Sequence, residues 1–143
     1  MKSKDVYYYN INPVPKPRMT QADRWRKRPC VLRYFDFKDK VRELDIKVDN
    51  GDHIIFVLPM AKSWGMKKKR EKCRQLHDQR PDKDNLEKAL LDAVYDEDCE
   101  IADTRVTKIW GYNGEIIIIK GEYTWTEKLF AQLEDMCNKL INK

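Results

Sequence analysis

The sequence predicts a single α+β domain, residues 1–143, with a mixed or antiparallel sheet of about four strands and packed helices. Two observations carry this. Short apolar, β-branched runs are bounded by turn residues, as at Ile54 to Leu58 and Ile116 to Ile119. Helical stripes at spacings of three and four recur elsewhere, without the strict strand–helix alternation of repeated βαβ units.

In chain order, Val6 to Ile11 is aromatic and β-branched and reads as the first strand. Residues 13–29 are rich in proline and basic residues and lack any apolar period, which describes a basic arm or long loop. From about Cys30 to Val48, Leu32, Phe35, Val41, Leu44 and Val48 recur mostly at helical spacing, with Phe37 interrupting the pattern. His53 to Leu58, closed by Pro59, is the second strand. The basic segment 66–74, MKKKREKCR, follows. Next, Leu86, Ala89, Leu90 and Ala93 occupy the i, i+3, i+4, i+7 positions of a buried helical stripe. Asp84 is placed as that helix's N-cap, with Glu87 completing a capping-box pattern. Tyr95 to Glu100 is an acidic loop. Arg105 to Trp110 and Glu115 to Tyr123 read as a hairpin around Gly111–Gly114. Thr126 to Ile141 closes the chain as an amphipathic helix, giving four strands and three helices in all.

Composition excludes several classes. No apolar run approaches the roughly 20 residues that span a bilayer, and the N-terminal MKSKDVYYYN lacks the apolar core of a secretory signal. The expectation is a soluble cytoplasmic protein with no membrane partner. Cys30, Cys73, Cys99 and Cys137 are widely spaced, without the paired ligands of a structural zinc site. Charge is unevenly spread: residues 1–80 hold 21 Lys and Arg against 10 Asp and Glu, residues 81–143 hold 8 against 14. A basic half points to a polyanionic partner, because displacing counterions from phosphates drives such binding.

Between residues 82 and 103 lie nine acids, Asp82, Asp84, Glu87, Asp92, Asp96, Glu97, Asp98, Glu100 and Asp103, offset by Lys83 and Lys88 alone. Asp82 and Asp84 are two apart, so an extended backbone turns both carboxylates to one side. Asp98 comes from a separate loop. Three carboxylates converging from two segments suit Mg²⁺, a hard ion that prefers oxygen ligands. Lys88, one helical turn after Asp84, is placed to assist at a phosphate or at the attacking water. Composition alone equally describes a capped helix with a solvated acidic flank, and the two readings are compatible.

The stretch Arg80-Pro-Asp-Lys-Asp-Asn-Leu-Glu-Lys-Ala-Leu-Leu-Asp-Ala-Val, followed by Glu97-Asp-Cys-Glu-Ile, resembles the RusA family of Holliday-junction resolvases. Asp82, Asp84, Asn85, Leu86, Lys88, Asp92 and Ala93 match that family's signature in register. Pro13-Val-Pro-Lys-Pro-Arg18 is similar to the opening of its phage-type members. The chain departs from the pattern in two places. Lys83 stands where an apolar residue is usual, and the interval between Asp92 and Glu97 is short, leaving Asp96, Glu97 and Glu100 as alternatives to Asp98.

The resemblance implies a homodimeric endonuclease that uses Mg²⁺, with Mn²⁺ as a substitute, to make paired nicks in four-way DNA junctions during recombination and repair. It implies Asp82, Asp84 and Asp98 as metal ligands, with Lys88 assisting hydrolysis. A bacterial or phage-infected cell is the implied setting, with the protein associated with the nucleoid. Lys16, Arg18, Arg24, Arg26, Lys27 and Arg28, with Trp25 among them, suit DNA contact, as do Lys67, Lys68, Lys69 and Arg70. Lys108 resembles a basic position common in the family. Trp64 and Trp110 are expected to pack within the domain rather than wedge into DNA. Two rivals stand beside this reading: a fork or flap nuclease of the same architecture, and a DNA-binding module without catalysis.

Overall fold

In the computed structural model the chain is described for residues 5–24, 28–121 and 127–142, apart from the side chains of residues 24, 98 and 127–129. Its centre is the strand richest in buried apolar residues. That strand, β2 (Asp52–Pro59), lies between β3 (Thr104–Gly111), which is parallel to it, and β4 (Glu115–Ile119), which is antiparallel. β1 (Val6–Tyr9) pairs antiparallel with the far side of β4, giving the order β1-β4-β2-β3. The sheet is mixed, and the α+β class follows.

β3 and β4 are therefore not the hairpin that their short link suggests. The link crosses the end of β2, where the Met60 N–H donates to the Gly111 carbonyl (2.9 Å). The exchange of partners is favoured by burial, since Ile54 pairs with Val106 on one side and Ile118 on the other. A hairpin would leave an edge of this buried, largely apolar strand open. Gly114, at the end of the link, passes so close to Asn12 that a Cβ there would collide with it.

Among the described residues four α-helices accompany the sheet: α1 (Pro29–Glu43), α2 (Met66–Lys72), α3 (Lys83–Val94) and α4 (Glu127–Ile141). Pro29 starts α1, where its missing N–H costs no helical hydrogen bond. The buried stripe of α1 is Val31, Tyr34, Phe37 and Val41. The expected stripe is thus displaced: Leu32, Phe35 and Leu44 are exposed, and Phe37 sits in the middle of the buried face. α1 also ends before Val48. Asp45 takes a left-handed conformation (φ 54°), with the Ile46 N–H donating to the Val41 carbonyl (3.2 Å) and the Asp45 N–H to the Arg42 carbonyl (3.1 Å). This is a Schellman stop, and it folds Ile46 back into the core.

The stripe Leu86, Ala89, Leu90, Ala93 of α3 is buried as expected, packed with the α1 stripe against Ile54, Phe56, Leu58, Ile116 and Ile118 of the sheet. The 66–74 run forms a fourth helix, α2, with no buried residue. After it, Arg74 turns the chain with φ 66°, and residues 74–77 lie along the outer edge of β3. Arg74 donates to the Trp110 carbonyl (2.8 Å), Trp110 to that of Gln75 (3.0 Å), and His77 to that of Lys108 (3.0 Å). Trp64 and Trp110 pack together, ring centroids 4.8 Å apart, and His77 lies on Trp110 at 3.8 Å, so both tryptophans serve packing as expected. α4 exposes the apolar side chains of Phe130, Leu133, Met136 and Leu140. No helix among the described residues is long and apolar enough to cross a membrane.

Burial lowers the pKa of His77, reinforced by the nearby Lys108 charge. The folded state thus binds a proton less readily than the unfolded chain, whose His titrates near pH 6.5. Stability supplied by neutral His77 is in place above that value and is lost as pH falls through the folded pKa. Unfolding by urea should therefore become easier between pH 7 and pH 5, and His77→Phe should flatten part of that slope. A slope unchanged by the substitution would assign the effect elsewhere.

Candidate metal site and cationic rim

Asp82, Lys83 and Asp84 are all exposed at the start of α3. Asp82, not Asp84, is the N-cap: its backbone is extended (φ −69°, ψ 144°), while Asp84 already lies in the first helical turn. The side chain of Asp82 makes no cap hydrogen bond. The capping box is absent too, because the Glu87 carboxylate instead accepts the hydroxyl of Thr104 at 2.6 Å. Among the described residues, neither Asp82 nor Asp84 has a side-chain hydrogen bond or ion pair. Two hard, unpartnered oxygen donors at the positive end of a helix dipole are a donor set that fits Mg²⁺ or Mn²⁺.

The third donor is less simply placed. Asp98 begins a short 3₁₀ turn, Asp98–Glu100, but its side chain lies outside the described residues. Among the described residues, no three His, Cys, Asp or Glu side chains form a group that could hold a metal. Exposed carboxylates repel one another until a cation draws them together. Asp103 is one of the nine acids of this stretch to which the sequence assigns no role. It immediately precedes β3, and its neighbour Thr104 is the residue bonded to Glu87, one turn along α3 from Asp84. Its backbone is fixed on both sides. The Asp103 N–H donates to Asn50 Oδ1 (3.1 Å), and its carbonyl accepts from Gly51 (2.7 Å). The sequence signal is its position at the head of a strand, opposite a helix that begins with acids.

Two grooves meet the first turn of α3. One, of about 840 Å³, includes Lys83 and runs along residues 104–108 of β3 to His77. The other, of about 440 Å³, is lined by Lys16, Pro17, Arg18, Asn85, Lys88 and Asp92. Lys88 is exposed, as a residue meeting a phosphate must be.

The basic arm is folded onto α3. The Lys16 N–H donates to the Asn85 carbonyl (3.1 Å), and its ammonium meets the Asp92 carboxylate at 2.7 Å. Tyr34 donates its hydroxyl to the same carboxylate (2.9 Å). Burial works against the charged Asp92, but hydrogen bonds from Lys16 and Tyr34 outweigh it and hold its pKa below the ordinary carboxylate value. Arg28 is likewise engaged, bonded to Asp23 (2.9 and 3.0 Å) and to the Arg18 carbonyl (2.6 Å). These hydrogen bonds hold Asp23 far below the usual carboxylate range. Lys16 and Arg28 are thus struts of the arm as well as cations. Trp25, Arg26 and Lys27 lie outside the described residues, as does the Arg24 side chain.

On α2, the Lys68 ammonium sits over the Trp64 ring, 4.1 Å from its centroid, and Lys67 and Arg70 are exposed. Lys108 is half-buried on the wall of the larger groove, its ammonium donating to the carbonyls of Gln79 (2.5 Å) and Pro81 (2.7 Å).

A search of curated proteins gave no match. The family model described as endodeoxyribonuclease RusA matches residues 11–120, which contain α1 to α3, β2 to β4 and every candidate site residue above. That stretch is most of the chain, with β1 and α4 lying beyond it, and the protein therefore belongs to the RusA endodeoxyribonuclease family.

Proposed function

We propose that the protein is a Mg²⁺-dependent, structure-selective endonuclease that resolves four-way DNA junctions by paired nicks, in recombination and repair. The observation that carries this reading is the pair of exposed carboxylates, Asp82 and Asp84, without side-chain partners among the described residues, at the head of α3 and flanked by Lys83 and Lys88. Asp82 and Asp84 would hold the metal, with Asp98 as the third carboxylate. A metal held there would supply activation of water and stabilisation of the leaving oxygen of a phosphodiester. Lys88 neutralises charge developing on the phosphate. Lys67, Lys68, Lys69 and Arg70 of α2, with Arg18, Arg24, Arg26 and Lys27 of the arm, supply sequence-independent contacts to the DNA backbone.

Paired nicks need two sites, and a homodimer presents them with the two-fold symmetry of the junction. The exposed apolar stripe of α4 supports self-association. The cytoplasm of a bacterial or phage-infected cell, at the nucleoid, is where such a substrate occurs.

Cleavage rates on a four-way junction, a fork, a flap and linear duplex, with and without Mg²⁺, test this reading. The junction should be cut fastest, and only with metal. Equal rates on linear duplex would remove the resolving role, fastest cutting of forks or flaps would assign the fold to those substrates, and binding without cleavage would leave a DNA-binding module.

A further inference from the structure

We infer that Lys108 is a positioning residue: its ammonium holds the turn that presents Asp82, rather than a DNA phosphate. The inference rests on the metal-site reading above and assigns to it a residue that touches neither metal nor DNA. Lys108 is rigid at its base. Its backbone pairs with Phe56 inside the sheet, and on the outer side its carbonyl accepts the His77 N–H. From there the ammonium reaches the carbonyls of Gln79 and Pro81, two of the four residues between His77 and Asp82.

Little else fixes that segment. Pro81 has no N–H to donate, and among the described residues the remaining side-chain hydrogen bond to it is a long one, from the Gln79 N–H to His77 Nδ1 (3.4 Å). A charged donor bonded to two carbonyls makes short, directional contacts, and these use two of the three ammonium protons. A cation so engaged on the protein side is a poor phosphate ligand. It is well placed to set where the first carboxylate of α3 stands, and a small misplacement of a catalytic group costs far more rate than affinity.

The test is Lys108→Met, which keeps the length of the side chain and removes its donors. Turnover at saturating four-way junction should fall roughly tenfold or more. Mn²⁺ affinity of the DNA-free protein, read by calorimetry, should weaken several-fold. Junction affinity in EDTA should stay within about twofold of wild type, and its dependence on salt should not change, since no phosphate contact is lost. The inference is overturned if the affinity drops and the salt slope falls by about 0.9, the signature of one phosphate contact. It is equally overturned if turnover and Mn²⁺ affinity are those of the wild type.

A measurement on the unmutated protein covers the case of a variant that does not fold. With ¹⁵N-labelled lysine, the Lys108 ammonium signal should be protected from exchange and should keep its shift when junction DNA is added in EDTA. Rapid exchange, or a shift like those of the α2 lysines, would show a solvent-facing phosphate ligand. Because this readout needs no cleavage, a wild-type protein that fails to cut junctions would refute the parent reading without obscuring this one.

Discussion

Asp82→Asn should lower metal-dependent cleavage of a four-way junction by roughly 10³-fold while leaving the fold intact, as expected when a site loses a direct ligand to its catalytic ion. Asparagine is nearly isosteric, but its neutral amide is a weak ligand for Mg²⁺. The structural cost is small. The Asp82 carboxylate makes no cap hydrogen bond and is exposed, so what is lost is its attraction to the helix dipole, about 0.3–1 kcal/mol. Junction binding in EDTA should persist or tighten, because one negative charge facing the phosphates is gone. Full cleavage by a preparation free of wild-type protein would remove Asp82 from the metal site.

The largest effect on stability is expected at Asp52, 1% exposed at the head of β2. Its carboxylate meets the Lys120 ammonium at 2.5 Å and accepts the backbone N–H groups of Asp49 (2.7 Å) and Gly121 (3.1 Å). Asp52→Ala leaves two N–H groups and the ammonium of a partly buried Lys120 without that partner, although Asp49 still reaches Lys120 at 2.8 Å. Removing one side of a buried pair costs about 3–5 kcal/mol. Domains have only about 5–15 kcal/mol in total, so the variant should sit close to unfolding at 25 °C. Urea denaturation should show the midpoint moving sharply down. The double variant with Lys120→Met should recover part of the loss, because the uncompensated charge is then gone. A cost below about 1 kcal/mol would mean that water replaces the carboxylate.

The residues that bury one clear face were legible in the sequence, and those whose placement depends on a distant partner were not. The α3 stripe and the apolar β2 run each admit one sensible orientation, and both are found as expected. α1 carries apolar residues on two faces. The choice between them rests on Tyr34, whose hydroxyl finds a carboxylate 58 residues away at Asp92. Turn residues at Gly111–Gly114 indicate a change of direction, but they do not say that β2 will come between the two strands they join.

The site divides in the same way. Asp82 and Asp84 are legible because residues two apart share one helix start, whereas Asp103 is tied to α3 only through its neighbour Thr104, which bonds Glu87. Lysines and arginines look alike in a sequence whether they face phosphate or fold. Lys16, Arg28 and Lys108 carry the charge expected of a DNA-binding surface, yet in the fold each meets protein oxygen.

The parallel pairing of β2 with β3 has a consequence for how the site comes into being. Residues 60–103 form a single long excursion between two neighbouring strands, and α2, the Asp82 turn and α3 all lie within it. None of these pieces acquires its place before that excursion closes, and closing so long a loop carries an entropic cost that slows folding. An isolated peptide spanning the acidic motif would therefore lack the floor on which its carboxylates are arranged. Nuclease competence should appear in step with completion of the sheet, and a chain arrested before β3 docks would carry every proposed ligand and hold none of them in position.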